Sequence, residues 1–228
     1  SFSLPETRLG IYPGLRGTLV LPQLVYKKTR DAEAALALAR YYMLAGGTAT
    51  SSPQLIYHMG CADLIVPQHR RDTAAMVVAQ AIIDNGGAMI SSAELNSLNV
   101  ERLETNLSFA DAREFQIAGE LFTQADLIPT LTAQARGQLP LAYSGEMKSI
   151  AERMARRVAG NSPHAVWVSN YLISRGFEGF LQGTDNDTLA EFELEHHLRQ
   201  VFEHPDALIG LEAMVNGKFP EFKRRYPL

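Results

Sequence analysis

One carboxylate near the start of the chain sits where it could be held for proton transfer. In Leu4-Pro5-Glu6-Thr7-Arg8-Leu9-Gly10-Ile11-Tyr12-Pro13-Gly14-Leu15-Arg16-Gly17-Thr18, Glu6 follows a proline that fixes its own φ. A second turn, Pro13-Gly14, then leads through Gly17-Thr18 into the apolar run from Leu19 to Val25. A glutamate on so rigid a segment can serve as a general acid or base, and a glycine-containing turn beside it can aim free amides at a neighbouring group. By residue type alone the plainer reading is a surface glutamate beside two ordinary turns, because proline and glycine are the commonest turn residues.

Other residues with chemical potential are weaker candidates. Glu193, Glu195, His196, His197 and His204 invite a metal reading, but adjacent histidines point to different sides of a helix and no H-E-x-x-H spacing occurs, so the stretch reads as a solvated polar helix face. The single cysteine, Cys61, cannot form an internal disulfide; its apolar setting between Gly60 and Ala62 suits a buried thiol in a reducing compartment, with no reactive role. Basic residues are scattered apart from Lys223-Arg224-Arg225, and 21 of them against 25 acidic ones give a net charge of −4, which offers no electrostatic footprint for nucleic acid. No run approaches the roughly 18 apolar residues of a membrane span and nothing resembles a signal peptide, so the expected location is cytoplasmic.

The elements that must position these groups are mostly helices. Asp31 is an N-cap ahead of a helix over 32–45 that stops at Gly46-Gly47, and Ser51 or Ser52 with Pro53 starts a short helix to Met59. Asp63-Leu64-Ile65-Val66 reads as extended, and Asp72 to Ile83 as a helix that ends at Asn85-Gly86-Gly87. Residues 88–160 are mainly helical, with breaks near Leu98-Asn99, Pro129 and Gly137-Gln138-Leu139-Pro140, and read as packing. Ser162-Pro163 opens a helix through Trp167 and Tyr171, Leu189 to Phe202 forms another that breaks at His204-Pro205, and a last helical segment leads to Gly217-Lys218-Phe219-Pro220-Glu221-Phe222. Tyr41, Tyr42, Met43, Phe122 and Trp167 fall in apolar helical patterns and read as core or subunit contacts. The run Leu19–Val25 suits a strand as well as a helix.

The first segment resembles the crotonase superfamily of enoyl-CoA hydratases, isomerases and acyl-CoA hydrolases, whose second catalytic segment reads approximately P-E-x-x-L-G-x-x-P-G-x-G-G-T-x-x-L. Pro5, Glu6, Leu9, Gly10, Pro13, Gly14, Gly17, Thr18 and Leu21 fall on that pattern, and Arg16 stands where the family has glycine. Leu44-Ala45-Gly46-Gly47-Thr48 and Gly60-Cys61-Ala62-Asp63-Leu64-Ile65-Val66-Pro67 are similar to its L-T-G-x-x-x-x-A-x-x-x-G-L-V-D-x-V-V-P. Near the end Asp206, Gly210, Ala213, Lys218, Pro220 and Phe222 are similar to D-x-x-E-G-x-x-A followed by K-x-P-x-F, with Ile209 where glutamate is usual.

The resemblance implies an α/β, crotonase-like (ClpP/crotonase) spiral fold of which this portion is mainly α-helical with short strands, and it favours a helix over Leu19–Val25. It divides the chain into a C-terminal part of the core (1–87), a helical extension (88–160) and a C-terminal helical subdomain (161–228). It implies an enoyl-CoA hydratase or isomerase in which Glu6 exchanges a proton with an acyl-CoA thioester, the Gly14 amide positions water or carboxylate, and Lys218 meets CoA phosphates. CoA enters as part of the substrate, with no separate cofactor and no metal. The second carboxylate and the oxyanion amides belong, in the family, to a Gly-rich half expected to precede Ser1, and trimers or other homo-oligomers are common. Chain length after Glu6 and the string Pro5-Glu6-Thr7 look like the 3-hydroxyisobutyryl-CoA hydrolase branch, which has aspartate where Gly14 stands. A non-catalytic CoA-binding or scaffolding fragment is the alternative outside the enzymes.

Overall fold

A computed structural model describes residues 4–14, 16–45, 52–123, 126–138 and 142–222. Leu15, the Gly46-Gly47 helix stop with Thr48 and Ser51, Leu139-Pro140 and the Lys223-Arg224-Arg225 cluster lie outside the described residues.

Helix α2 (Ala32–Leu44) is the centre of the packing, because its sequence is apolar on nearly every side: Ala35, Ala37, Leu38, Ala39, Tyr41, Tyr42, Met43 and Leu44 are all buried. Asp31 caps it, accepting the Ala34 amide at 3.0 Å. Around it lie α1 (Gly17–Thr29), α6 (Phe109–Phe122) and α9 (Pro163–Leu181). Arg40, the one charged residue on the buried part of α2, binds the Phe122 carbonyl and the Ser174 hydroxyl, each at 3.0 Å, and so ties α2 to both α6 and α9. Helix α7 (Leu127–Ala135) packs on α8 (Gly145–Gly160), which also meets α6; one apolar cluster runs from Leu21 to Phe177 through all of them.

Of three short or peripheral helices, α3 (Pro53–His58), α4 (Arg71–Asp84) and α5 (Ser92–Ser97), two carry side-chain caps: Ser52 accepts the Leu55 amide at the start of α3, and Ser91 with Glu94 forms a reciprocal capping box on α5. After α9 the chain forms α10 (Asn186–Glu193), a π-helical turn (Leu194–Leu198), α11 (Arg199–Phe202) and α12 (Pro205–Val215).

The expected α/β crotonase spiral fold is not what forms: among the described residues there is no strand, and the architecture is all-α. The Asp63–Val66 segment, expected to be extended, has no regular secondary structure, and its backbone tie to the segment beyond α5 is a single bond, Leu103 N–H to the Ile65 carbonyl at 3.0 Å, which is no ladder. Leu19–Val25 lies inside α1, where two faces find apolar neighbours and Pro22 removes only one helical donor. The break expected near Pro129 falls just before it, between the end of α6 at Phe122 and the start of α7 at Leu127. The proline itself occupies the first turn of α7, where an amide has no intrahelical acceptor in any case.

Candidate functional site

Glu6 begins a single 3₁₀ turn (Glu6–Leu9) with Pro5 before it and Gly10, at φ +79°, closing it. The turn is gripped from several directions. Thr7 is completely buried: its hydroxyl donates to the Met43 carbonyl at the end of α2 (2.7 Å), and its carbonyl accepts the Ser162 amide at the start of α9 (3.2 Å). Asn161 bridges the same two elements, donating from Nδ2 to the Leu44 carbonyl (2.8 Å) and to Thr7 Oγ1 (3.4 Å).

The other side of the turn lies against α12 with no room for a side chain. A Cβ at Gly10 would lie 2.9 Å from the Ala207 nitrogen and closer still to the Asp206 carbonyl; a Cβ at Gly210 would lie 2.7 Å from the Leu9 Cα and closer still to its carbonyl. Glycine is therefore demanded at both positions, at Gly10 also by its left-handed φ. Asp206 in turn accepts the Ser162 hydroxyl at 2.6 Å, while that hydroxyl takes the Ala165 amide as the cap of α9. His204 caps α12 by accepting the Asp206 amide (3.2 Å) and stacks on His164 with ring centroids 3.9 Å apart. Burial, and then the neighbouring His204, hold the His164 pKa below its ordinary value.

The Glu6 carboxyl is partly buried, and its Oε2 is enclosed without a hydrogen-bond partner. Burial pushes its pKa up, against the smaller opposing effect of its own amide. A carboxyl poised in this way takes up a proton more readily than an exposed one, and its backbone is fixed by buried bonds on three elements.

Gly14 lies on the next loop, where a Cβ would meet nothing within 4 Å and φ is not positive, so neither packing nor conformation requires glycine there. Arg16, the departure from glycine, is held in the left-handed region at φ +69° as the N-cap of α1. That conformation disfavours a residue with Cβ by about 1–2 kcal/mol. It is offset from α10, since Arg16 Nη2 reaches Asp187 Oδ1 at 2.7 Å and the Arg16 amide donates to the Glu193 carboxylate. Glu193 also accepts the Thr18 hydroxyl at 2.6 Å, so a carboxylate on α10 caps a helix whose own N-cap side chain cannot. Glu193 is buried, with Oε1 unpartnered, which corrects the expectation of a solvated polar face there; desolvation raises its pKa. Burial, with Glu193 nearby, likewise pushes the buried Tyr12 hydroxyl well above its ordinary value. Glu193 and Thr18 were not legible as partners, because nothing local links residues so far apart in the chain.

Lys218 is exposed on the segment after α12, its amide bonded to the Ala213 carbonyl at 2.8 Å. The link from this segment to the Glu6 turn is its neighbour Phe219, whose ring lies 4.0 Å beneath the Arg8 guanidinium. Among the described residues no three histidine, cysteine or acidic side chains gather as a metal site. Burial pushes the Cys61 thiol up to about 11, so it stays protonated and a poor nucleophile. Trp167, expected in a core or contact, is 56% exposed and stacks on Tyr171. Among the described residues no helix is long and apolar enough to cross a membrane.

No protein-family model matches this chain, and no solved structure matches it.

Proposed function

We propose that Glu6 is the general acid and base of an enzyme acting on acyl-CoA thioesters, exchanging a proton with the carbon beside the thioester carbonyl as in hydration or isomerisation of an enoyl-CoA. The observation that carries the reading is the Glu6 carboxyl itself: partly buried, with one oxygen unpartnered, its pKa raised, and its turn fixed by Thr7, Asn161 and the two glycine contacts with α12. Proton exchange at carbon is most efficient when the group's pKa lies near the working pH, and desolvation moves a carboxyl in that direction. Gly14, which the fold does not require, leaves space on the adjoining loop for a water or thioester oxygen to approach the backbone. The developing enolate needs two amide donors, which the resemblance assigns to a Gly-rich segment of the same protein.

The test is Glu6→Gln in the full-length protein, assayed for hydratase, isomerase and 3-hydroxyacyl-CoA hydrolase turnover. Glutamine keeps the size and removes the exchangeable carboxyl proton, so turnover should fall by about two to four orders of magnitude with acyl-CoA affinity little changed. A parent that turns over none of the three substrates, or a variant as fast as its parent, refutes the reading.

A further inference from the structure

Asp206, in the first turn of α12, uses its amide, its carbonyl and its side chain on three different partners. The amide donates to His204 Nδ1 at 3.2 Å, the carboxylate takes the Ser162 hydroxyl at 2.6 Å, and the carbonyl presses on Gly10 where no Cβ would fit. The residue is buried, so the start of α12, the start of α9 and the Glu6 turn are joined through it.

A histidine caps a helix in one protonation state only. His204 Nδ1 accepts the Asp206 amide with its lone pair, so a proton on that nitrogen removes the acceptor and sets a cation at the positive end of α12. His164, the second residue of α9, stacks on the same ring with the planes 10° apart, and its Nε2 is enclosed with no hydrogen-bond partner among the described residues. Two cations 3.9 Å apart repel strongly, so the pair takes up one proton before it takes up two. The geometry gives that proton to His204, because the Asp206 carboxylate lies 3.9 Å from its Nδ1. The other charged groups on the elements packed around this junction are Glu6 and Arg8 of the turn, Arg199 and Glu203, which pair with each other at 2.7 Å, and Glu212 further along α12. His204 opposes a charge on His164 and Asp206 favours one.

We propose that His204 is a pH-operated latch that sets how firmly α12 holds the Glu6 turn. A proton on Nδ1 exchanges the Asp206 amide for the Asp206 carboxylate as its partner. That exchange uncaps α12, competes with Ser162 for the carboxylate and loosens the backbone pressed against Gly10. The latched form binds fewer protons than the released one, so acid favours release: latching is full above the ordinary histidine value of about 6.5 and weakens as pH falls below it. The latch does not depend on which reaction, if any, Glu6 performs.

The experiment is backbone hydrogen exchange of the full-length protein at about pH 7.5 and about pH 5.5, on either side of the histidine range, with rates corrected for the intrinsic effect of pH. Protection of α12 should fall by about fivefold or more on acidification, the usual effect of losing an N-cap, while that of α2 at the centre of the core holds. His204→Asn supplies a cap that does not titrate, so its α12 should be protected equally at both values. Asp206→Asn keeps an acceptor for Ser162 and removes the competing carboxylate, so release should need a lower pH than in the parent. Glu6→Gln should leave the transition in place even where it abolishes turnover, which separates the latch from the acid–base reading. A parent whose α12 is protected equally at both values, a loss shared equally by α2, a His204→Asn variant that still loses protection in acid, or an Asp206→Asn variant that releases at the parent's pH overturns the proposal.

Discussion

Replacing Gly210 by alanine reverses the usual sign of a helix substitution. Inside a helix, glycine is less favourable than alanine by about 0.8–1.0 kcal/mol, so an unconstrained Gly→Ala change stabilises. Gly210 sits well inside α12, yet its Cβ would overlap the Leu9 backbone. Backbone cannot swing aside as the end of a flexible side chain can, so either α12 or the Glu6 turn must withdraw. Overpacking costs about 1–3 kcal/mol, and a turn that shifts also loosens buried bonds such as Thr7 to Met43, each costing about 1–3 kcal/mol when left unmade. Against the propensity gain, the net effect should be a loss of roughly 2–4 kcal/mol. For a chain of this size that lowers Tm by roughly 5–15 °C. Gly119, in α6 with nothing within 4 Å of its Cβ, is the control: Gly119→Ala should raise Tm by a few degrees. Thermal unfolding followed by circular dichroism reads both. A Gly210→Ala protein that melts at or above its parent would show that the turn and α12 do not meet as described.

The two raised carboxyls give the remaining predictions. Because burial raises the Glu6 pKa above its ordinary 4.5, the folded chain holds that proton more tightly than the unfolded chain, and the group's contribution to stability declines as pH rises above 4.5. Glu6→Gln should therefore be more stable than its parent at neutral pH, and urea unfolding should show the two converging as pH falls below 4.5; a gap independent of pH refutes the buried carboxyl. Glu193→Ala should destabilise by about 2–4 kcal/mol, because the buried Thr18 hydroxyl and the Arg16 amide both lose their acceptor, whereas Glu193→Gln keeps an oxygen there and should lose less. Equal losses in the two variants would mean that the carboxylate does not cap α1.

What could be read from the sequence was what local chemistry determines. Asp31, Ser52 and Ser162 announce helix starts because each side chain answers an amide two or three residues away, and each makes that bond. The Glu6 turn was legible for the same reason, since a proline before it and a glycine after it act within a few residues. The fold class was not, because a strand is stable only when a second strand supplies its ladder. Asp63–Val66 has an extended sequence and one such bond, and no pattern within it reports that absence. Glu193 was misjudged because a glutamate beside histidines and another glutamate looks solvated in any local window, and only the folded chain places it at the open end of α1.

Arg16 shows how the two kinds of information join. The sequence marks it as an arginine where the resembling family has glycine, and the structure supplies the physical reason glycine would fit: the residue is held at φ +69°. An arginine there is tolerated because α10 answers it at both ends, with Asp187 on the guanidinium and Glu193 on the amide. The loop carrying Gly14 is thereby tied to α10, while the loop carrying Glu6 is held against α12 by close backbone contact. The two candidate residues sit on adjacent turns, but each turn is held by a different helix from the far end of the chain. A displacement of α12 should reach Glu6 through Gly10 and Leu9 without passing through Gly14, and one of α10 should reach Gly14 through Arg16 without passing through Glu6.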